Sequence, residues 1–109
     1  MFSKENMIDI EGLKDRVSAV IIKNKKLLLV TGYDESLYWT PGGKIENYES
    51  HENALNRELN EELGILPIKM TFYIKYEAVN EVTNKKQRVY CYLVDFKGRP
   101  RPKKEITKI

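Results

Sequence analysis

The chain has one cysteine, one histidine and one tryptophan, and it contains no long apolar run. The lone Cys91 excludes an intramolecular disulfide and cannot build a thiolate metal site, which is the cysteine usage of a reducing compartment. The cytoplasm is therefore the expected location. No stretch approaches the length needed to cross a bilayer, and the opening "MFSKENMIDIEG" lacks the apolar core of a signal peptide, so neither insertion nor export is expected. Internal repeats and low-complexity segments are missing as well. A hydrophobic fraction of 41% with 10% aromatic residues is too high for a disordered chain.

What is present is enough for one domain, expected over 1–109, with 1–15 as a lead-in and 97–109 as a basic tail. The formal charge of +3 is unevenly placed. From Asp95 onward, Lys97, Arg99, Arg101, Lys103, Lys104 and Lys108 face only Asp95 and Glu105, so the rest of the chain is close to neutral. Such a proline-broken run reads first as a solvated tail, with electrostatic contact to nucleic-acid phosphates as the less favoured reading.

The runs "VSAVII" (17–22) and "LLLVT" (27–31) predict two strands joined by a hairpin through Asn24 and Lys25. Both are apolar on successive residues, which predicts a sheet covered on both faces and a layered α/β arrangement. A loop region with Gly32, Asp34, Pro41, Gly42 and Gly43 follows. Between Ser50 and Leu63 there is no glycine or proline, and Ala54, Leu55, Leu59 and Leu63 form an apolar stripe, so this segment predicts a helix. Ser50 suits the N-cap, and Gly64 followed by Pro67 ends the helix. The segments 68–79 and 87–96 predict two long strands joined around "TNKK", and "EITKI" (105–109) has the pattern of a strand beginning.

Residues 42–65 hold six glutamates. On a helical wheel with Glu58 at zero, Glu61 falls at about −60° and Glu62 at about +40°, so three carboxylates share one narrow face. Like charges at these spacings cost about a few tenths of a kcal/mol per pair, and a divalent cation would relieve the repulsion. For an arbitrary glutamate-rich helix a solvated acidic face is the ordinary reading. The surrounding residues change that. Gly43, Glu49 and the run Arg57-Glu58-Leu59-Asn60-Glu61-Glu62-Leu63-Gly64-Ile65 stand at spacings that resemble the Nudix box, with every required position filled. A random window would match about once in 10⁹ or less often.

The resemblance extends to "YWTPGGKIE" and to the order of strands, covering about residues 16–109. It implies an α+β Nudix fold, a mixed β-sheet sandwiched between helices. In that family a second main helix follows a strand beginning about where this chain ends, so the C-terminal helix is expected to be missing here. A sheet with one helix would leave an apolar face that a homodimer could cover.

The resemblance further implies Mg²⁺-dependent, or Mn²⁺-dependent, hydrolysis of a pyrophosphate bond in a nucleoside diphosphate derivative. Glu58, Glu61 and Glu62 would be metal ligands together with the Gly42 carbonyl, and Glu105 a further acidic candidate. Glu58 is the first choice for the general base, with Glu61 the other. Arg57 would orient the glutamates and meet Glu49, and Gly43 would give the site room. Lys44 and Trp39 are candidates for substrate contact, although Trp39, like Tyr38, is more often a packing anchor in such a place. His51 reads as exposed and Cys91 as core packing. A nucleoside triphosphate is the default substrate. The alternative is a nucleotide-binding or regulatory Nudix module without turnover.

Overall fold

The computed structural model describes residues 14–32, 37–79, 84–104 and 106–109. Its elements in chain order are β1 (Lys14–Val20), β2 (Ile22–Lys23), β3 (Lys26–Leu27), β4 (Thr31–Gly32) and β5 (Gly42–Lys44). They continue with helix α1 (His51–Leu63), β6 (Leu66–Val79), β7 (Lys86–Lys97) and β8 (Ile106–Lys108). The main sheet is mixed, with strand order β5-β1-β7-β6. β1 runs antiparallel to β5 and parallel to β7, and β7 runs antiparallel to β6. This is an α+β arrangement with one helix among the described residues.

The helix forms where the sequence predicts it. Ser50 is extended, and its side chain accepts a hydrogen bond from the Asn53 amide, satisfying one of the free donors of the first turn. Gly64 takes the left-handed conformation (φ 67°) and its amide donates to the Asn60 carbonyl. Ala54, Leu55, Leu59 and Leu63 are fully buried, against Val17, Ala19, Val94 and Ile65. That stripe fixes the rotation of α1 about its axis, and so decides which way its acids face.

The first hairpin turns through Asn24 and Lys25, both at positive φ (52° and 63°), the geometry of a tight primed turn. The hairpin is shorter than the two apolar runs suggest. The second run does not form one strand of the main sheet: Leu27 is exposed, Val30 pairs with Trp39 in an isolated bridge, and Thr31 and Gly32 join β8 in a separate two-stranded ribbon. Tertiary partners from distant segments, invisible to local patterning, divide the run among three pairings. The start of a strand in "EITKI" is present as β8, and Ile106 reaches the core at 3% exposure.

The expectation of a sheet covered on both faces holds for the interior strand β1 but fails at the β6 edge. In β1, consecutive Val17, Ser18 and Ala19 are buried. In β6, by contrast, Phe72, Tyr73, Ile74 and Tyr76 are all exposed. The β6–β7 ladder shifts register between Phe72 and Ile74, so Tyr73 is an extra residue in a bulge. Phe72 therefore pairs with Tyr92 on the helix side, whereas Ile74 and Tyr76 pair with Cys91 and Val89 on the opposite face.

Because Leu59 is fully buried in a packed core, Leu59→Ala is expected to cost about 2–5 kcal/mol, whereas Ser50→Ala should cost only ~1 kcal/mol. Urea titration followed by circular dichroism measures both, and equal costs would show that the stripe does not anchor the helix.

Candidate active site

α1 crosses beside β5, the strand that begins with Gly42 and Gly43, and the contact between them is close. Gly42 has φ 148°, and a Cβ built on it would lie 2.1 Å from the Val17 carbonyl oxygen. Only glycine fits there. Its amide donates to Glu62 Oε1 at 3.0 Å, which draws this carboxylate beneath the glycine strand and leaves Glu62 only 4% exposed. At Gly43 the missing side chain serves a different purpose: a Cβ would stand 1.6 Å from Glu58 Oε2. The Glu58 carboxylate occupies the space that any other residue would fill.

Arg57 organises the acids around it. Its Nε and one terminal nitrogen donate to the two oxygens of Glu49 at 2.7 and 3.0 Å, a two-pronged pairing that suits the planar guanidinium. The same terminal nitrogen donates to the Lys44 carbonyl at 3.0 Å. The other lies 3.4 Å from Glu61 Oε1 and 3.7 Å from Glu58 Oε2. Glu49 also accepts from the Glu46 amide at 2.9 Å. Hydrogen bonding from Arg57 and then from that amide holds the Glu49 carboxyl down at about 2, and the bond to Glu49 pushes the Arg57 guanidinium above its ordinary value. Arg57 thus ties the loop at 44–49 to the helix and lies between Glu58 and Glu61.

Of the acids on the wheel, Glu58 and Glu61 flank the open side, at 14% and 31% side-chain exposure, while Glu62 is turned inward. Glu61 Oε2 faces Lys104 Nζ at 3.4 Å. Among the described residues no three acidic, histidine or cysteine side chains converge as a ready ligand cage. The donor set nevertheless suits a hard cation. Mg²⁺ needs only one or two carboxylates, completing its shell with water and substrate phosphate, and Gly43 leaves space for the Glu58 carboxylate. Glu105 lies outside the described residues. Lys44 is exposed at the end of β5, and Trp39 is half-buried against the core with its backbone paired to Val30.

Two features were not legible in the sequence. His51, expected to be exposed, is half-buried: its ring lies 4.3 Å from that of Tyr90, and Nδ1 is 2.9 Å from the Tyr92 hydroxyl. The alternating tyrosines of β7 were the available signal, but only the tertiary fold shows that the first turn of α1 lands on them. The basic tail exposes the side chains of residues 101–104, as expected of a solvated run, but its backbone is docked on α1. The Arg101 and Lys103 amides donate to the Leu63 and Glu62 carbonyls at 2.9 Å, and Lys103 Nζ reaches the Asn60 carbonyl at 3.4 Å. The last turn of α1 contains no basic residue, so the tail brings cations to the negative end of the helix dipole.

The NUDIX domain family model matches residues 12–109, and the chain belongs to the Nudix family. The chain is 35% identical over 82 residues to an 8-oxo-dGTP diphosphatase of Buchnera aphidicola subsp. Acyrthosiphon pisum, covering 73% of this chain and 64% of that protein. It is 36% identical over 73 residues to an RNA pyrophosphohydrolase of Pasteurella multocida, covering 64% of this chain and 37% of that protein. Among solved structures it resembles the MutT NUDIX hydrolase of Burkholderia pseudomallei, with TM-score 0.77, 25% identity and coverage of 88% of this chain and 78% of that one. The E. coli ORF135 protein gives TM-score 0.70 at 29% identity, with coverage of 87% and 69%. The chain spans less than two thirds of the length of both these curated relatives. Nudix hydrolases generally use divalent metal ions. No helix among the described residues is long and apolar enough to cross a membrane.

The two glycines separate in a stability test. Gly42→Ala forces a methyl group into backbone and is expected to lose more than ~2 kcal/mol, while Gly43→Ala displaces only a side-chain end and should stay within ~1 kcal/mol of the parent. Thermal unfolding of the two variants measures this, and equal losses would contradict the assignment. The lowered carboxyl of Glu49 stabilises the fold above its unfolded value of 4.5, and that contribution fades as pH falls toward 2. Denaturant melts of Glu49→Gln and the parent should therefore differ at neutral pH and converge through this acidic window.

Proposed function

We propose that this chain is a Mg²⁺-dependent pyrophosphohydrolase acting on a nucleoside diphosphate derivative, with a nucleoside triphosphate the first substrate to test. The observation that carries this reading is the seat of Glu58 in the space left by Gly43, beside Glu61 and under the control of Arg57. Support comes from the Nudix relatives named as 8-oxo-dGTP diphosphatase and RNA pyrophosphohydrolase.

The chemical difficulty is charge, since two phosphates repel an anionic nucleophile. Glu58, Glu61 and Glu62 would hold the metal with the Gly42 carbonyl, Glu62 being held by the Gly42 amide. When bound, Mg²⁺ neutralises phosphate oxygens and the leaving group. Glu58 is assigned as the base that takes the proton of the attacking water, with Arg57 holding its carboxylate in place as a positioning residue. Lys104, opposite Glu61, and the exposed Lys44 supply positive charge for the departing phosphate. Trp39 is a substrate-contact candidate, although its packing against the core limits its freedom. A cytoplasmic location fits a free Cys91. A homodimer over the open sheet face fits the exposure of Ile74, Tyr76 and Leu93, and sedimentation at increasing concentration checks it.

A second reading, a nucleotide-binding module without turnover, fits the lack of a converged acid trio among the described residues. A panel of nucleotides with Mg²⁺, followed by release of phosphate or pyrophosphate, separates the two. Turnover should fall about 10²-fold or more in Glu58→Gln and also fail in the folded Gly43→Ala variant. Unchanged turnover in Glu58→Gln would remove the assignment of the base, and tight nucleotide binding without hydrolysis of any substrate would establish the second reading.

A further inference from the structure

A cleft of about 350 Å³ opens between the β2–β3 hairpin and residues 98–100. Its chemistry is the reverse of the acidic helix face. Leu27, Leu28 and Phe96 give it an apolar floor, Lys23, Lys26 and Arg99 border it, and among the described residues no acidic side chain lines it. All three cations are exposed. Arg57 and Arg88, by comparison, are each taken up by a carboxylate, at 2.7 Å in both cases. Lys23 Nζ stands over the Phe96 ring, 4.7 Å from its centre, which fixes this ammonium beside the apolar floor.

We propose that this cleft is a docking site for single-stranded nucleic acid. Strand binding without strict sequence preference requires cations that follow the backbone and an apolar or aromatic surface against which a base can lie. The cleft supplies both within one concavity. A polyanion without bases would satisfy the three cations but leave the apolar floor of Leu27, Leu28 and Phe96 uncovered. The strand would also lie near the acidic helix. Arg99 precedes by five residues Lys104, which contacts Glu61, so the intervening backbone separates the two by no more than about 18 Å. If the hydrolase reading holds, a strand in the cleft could present its phosphorylated end to that helix. The docking itself does not depend on that reading.

The test uses the whole chain and a short fluorescent oligouridylate with a 5′-hydroxyl end, which carries no pyrophosphate. Binding is therefore read apart from hydrolysis. Anisotropy titration at several salt concentrations should give an affinity that falls with salt at a logarithmic slope of about −2, as expected for three phosphate contacts on a single strand. Substituting alanine at Lys23, Lys26 and Arg99 together should weaken binding about tenfold or more and flatten that slope, with folding checked by a thermal melt because Lys23 also loses its contact with Phe96. Phe96→Leu should keep the slope but weaken binding several-fold, its folding being checked by the same melt. Absence of binding at low salt, parental affinity in the triple variant, or equal competition by polyglutamate of matched charge would each overturn the proposal.

Discussion

The structure depends on how closely one helix can approach one strand. Without a Cβ at Gly43, α1 seats against β5 so that Glu58 fills the empty side-chain position, while the Gly42 amide donates to Glu62. A larger residue at Gly43 would expel the Glu58 carboxylate, and one at Gly42 would collide with the β1 backbone at Val17 and Ser18. Burial of Leu55, Leu59 and Leu63 drives the helix down, and Gly43 decides how closely its acid can approach the strand. At about 25 cal/mol per Å² of apolar surface removed from water, three fully buried leucines supply several kcal/mol. That is enough to hold together acids that would otherwise repel one another.

Arg57 gives the acidic face a fixed geometry. It binds Glu49 in a two-pronged pairing, reaches the Lys44 carbonyl, and stands between Glu58 and Glu61. A lysine could supply the charge but not the planar fork, so this site should tolerate that exchange poorly. The tail acts on the opposite end of the helix, where Lys103 and Lys104 bring positive charge to carbonyls and to Glu61. Loop, helix and tail are thus bound together through one short acidic segment.

Much of this could be read from residue order. The limits of α1, its two caps and the spacing of its acids follow from local rules, because Ser50, Gly64 and the leucine stripe act within a few residues of themselves. The hairpin at Asn24 and Lys25 was legible for the same reason. What escaped was set by distant partners. Nothing near Val30 or Thr31 indicates that they pair with Trp39 and Lys108, and nothing near His51 indicates two tyrosines from β7. The inward turn of Glu62 was equally hidden, since a wheel gives direction around an axis but not the amide waiting at Gly42.

The parallel pairing of β1 with β7 has a consequence for how the chain reaches this state. Ser18 aligns with Cys91, and the strand that carries the glycine contact lies on the other side of β1. Joining them closes a loop of about 70 residues, an entropic cost incurred before the central sheet contributes any stability. The β6–β7 ribbon joins neighbouring segments, whereas the β1–β7 pairing joins distant ones. The exposed aromatic residues of β6 lie on an edge strand of that sheet, where unpaired backbone groups and apolar side chains together favour association with other chains.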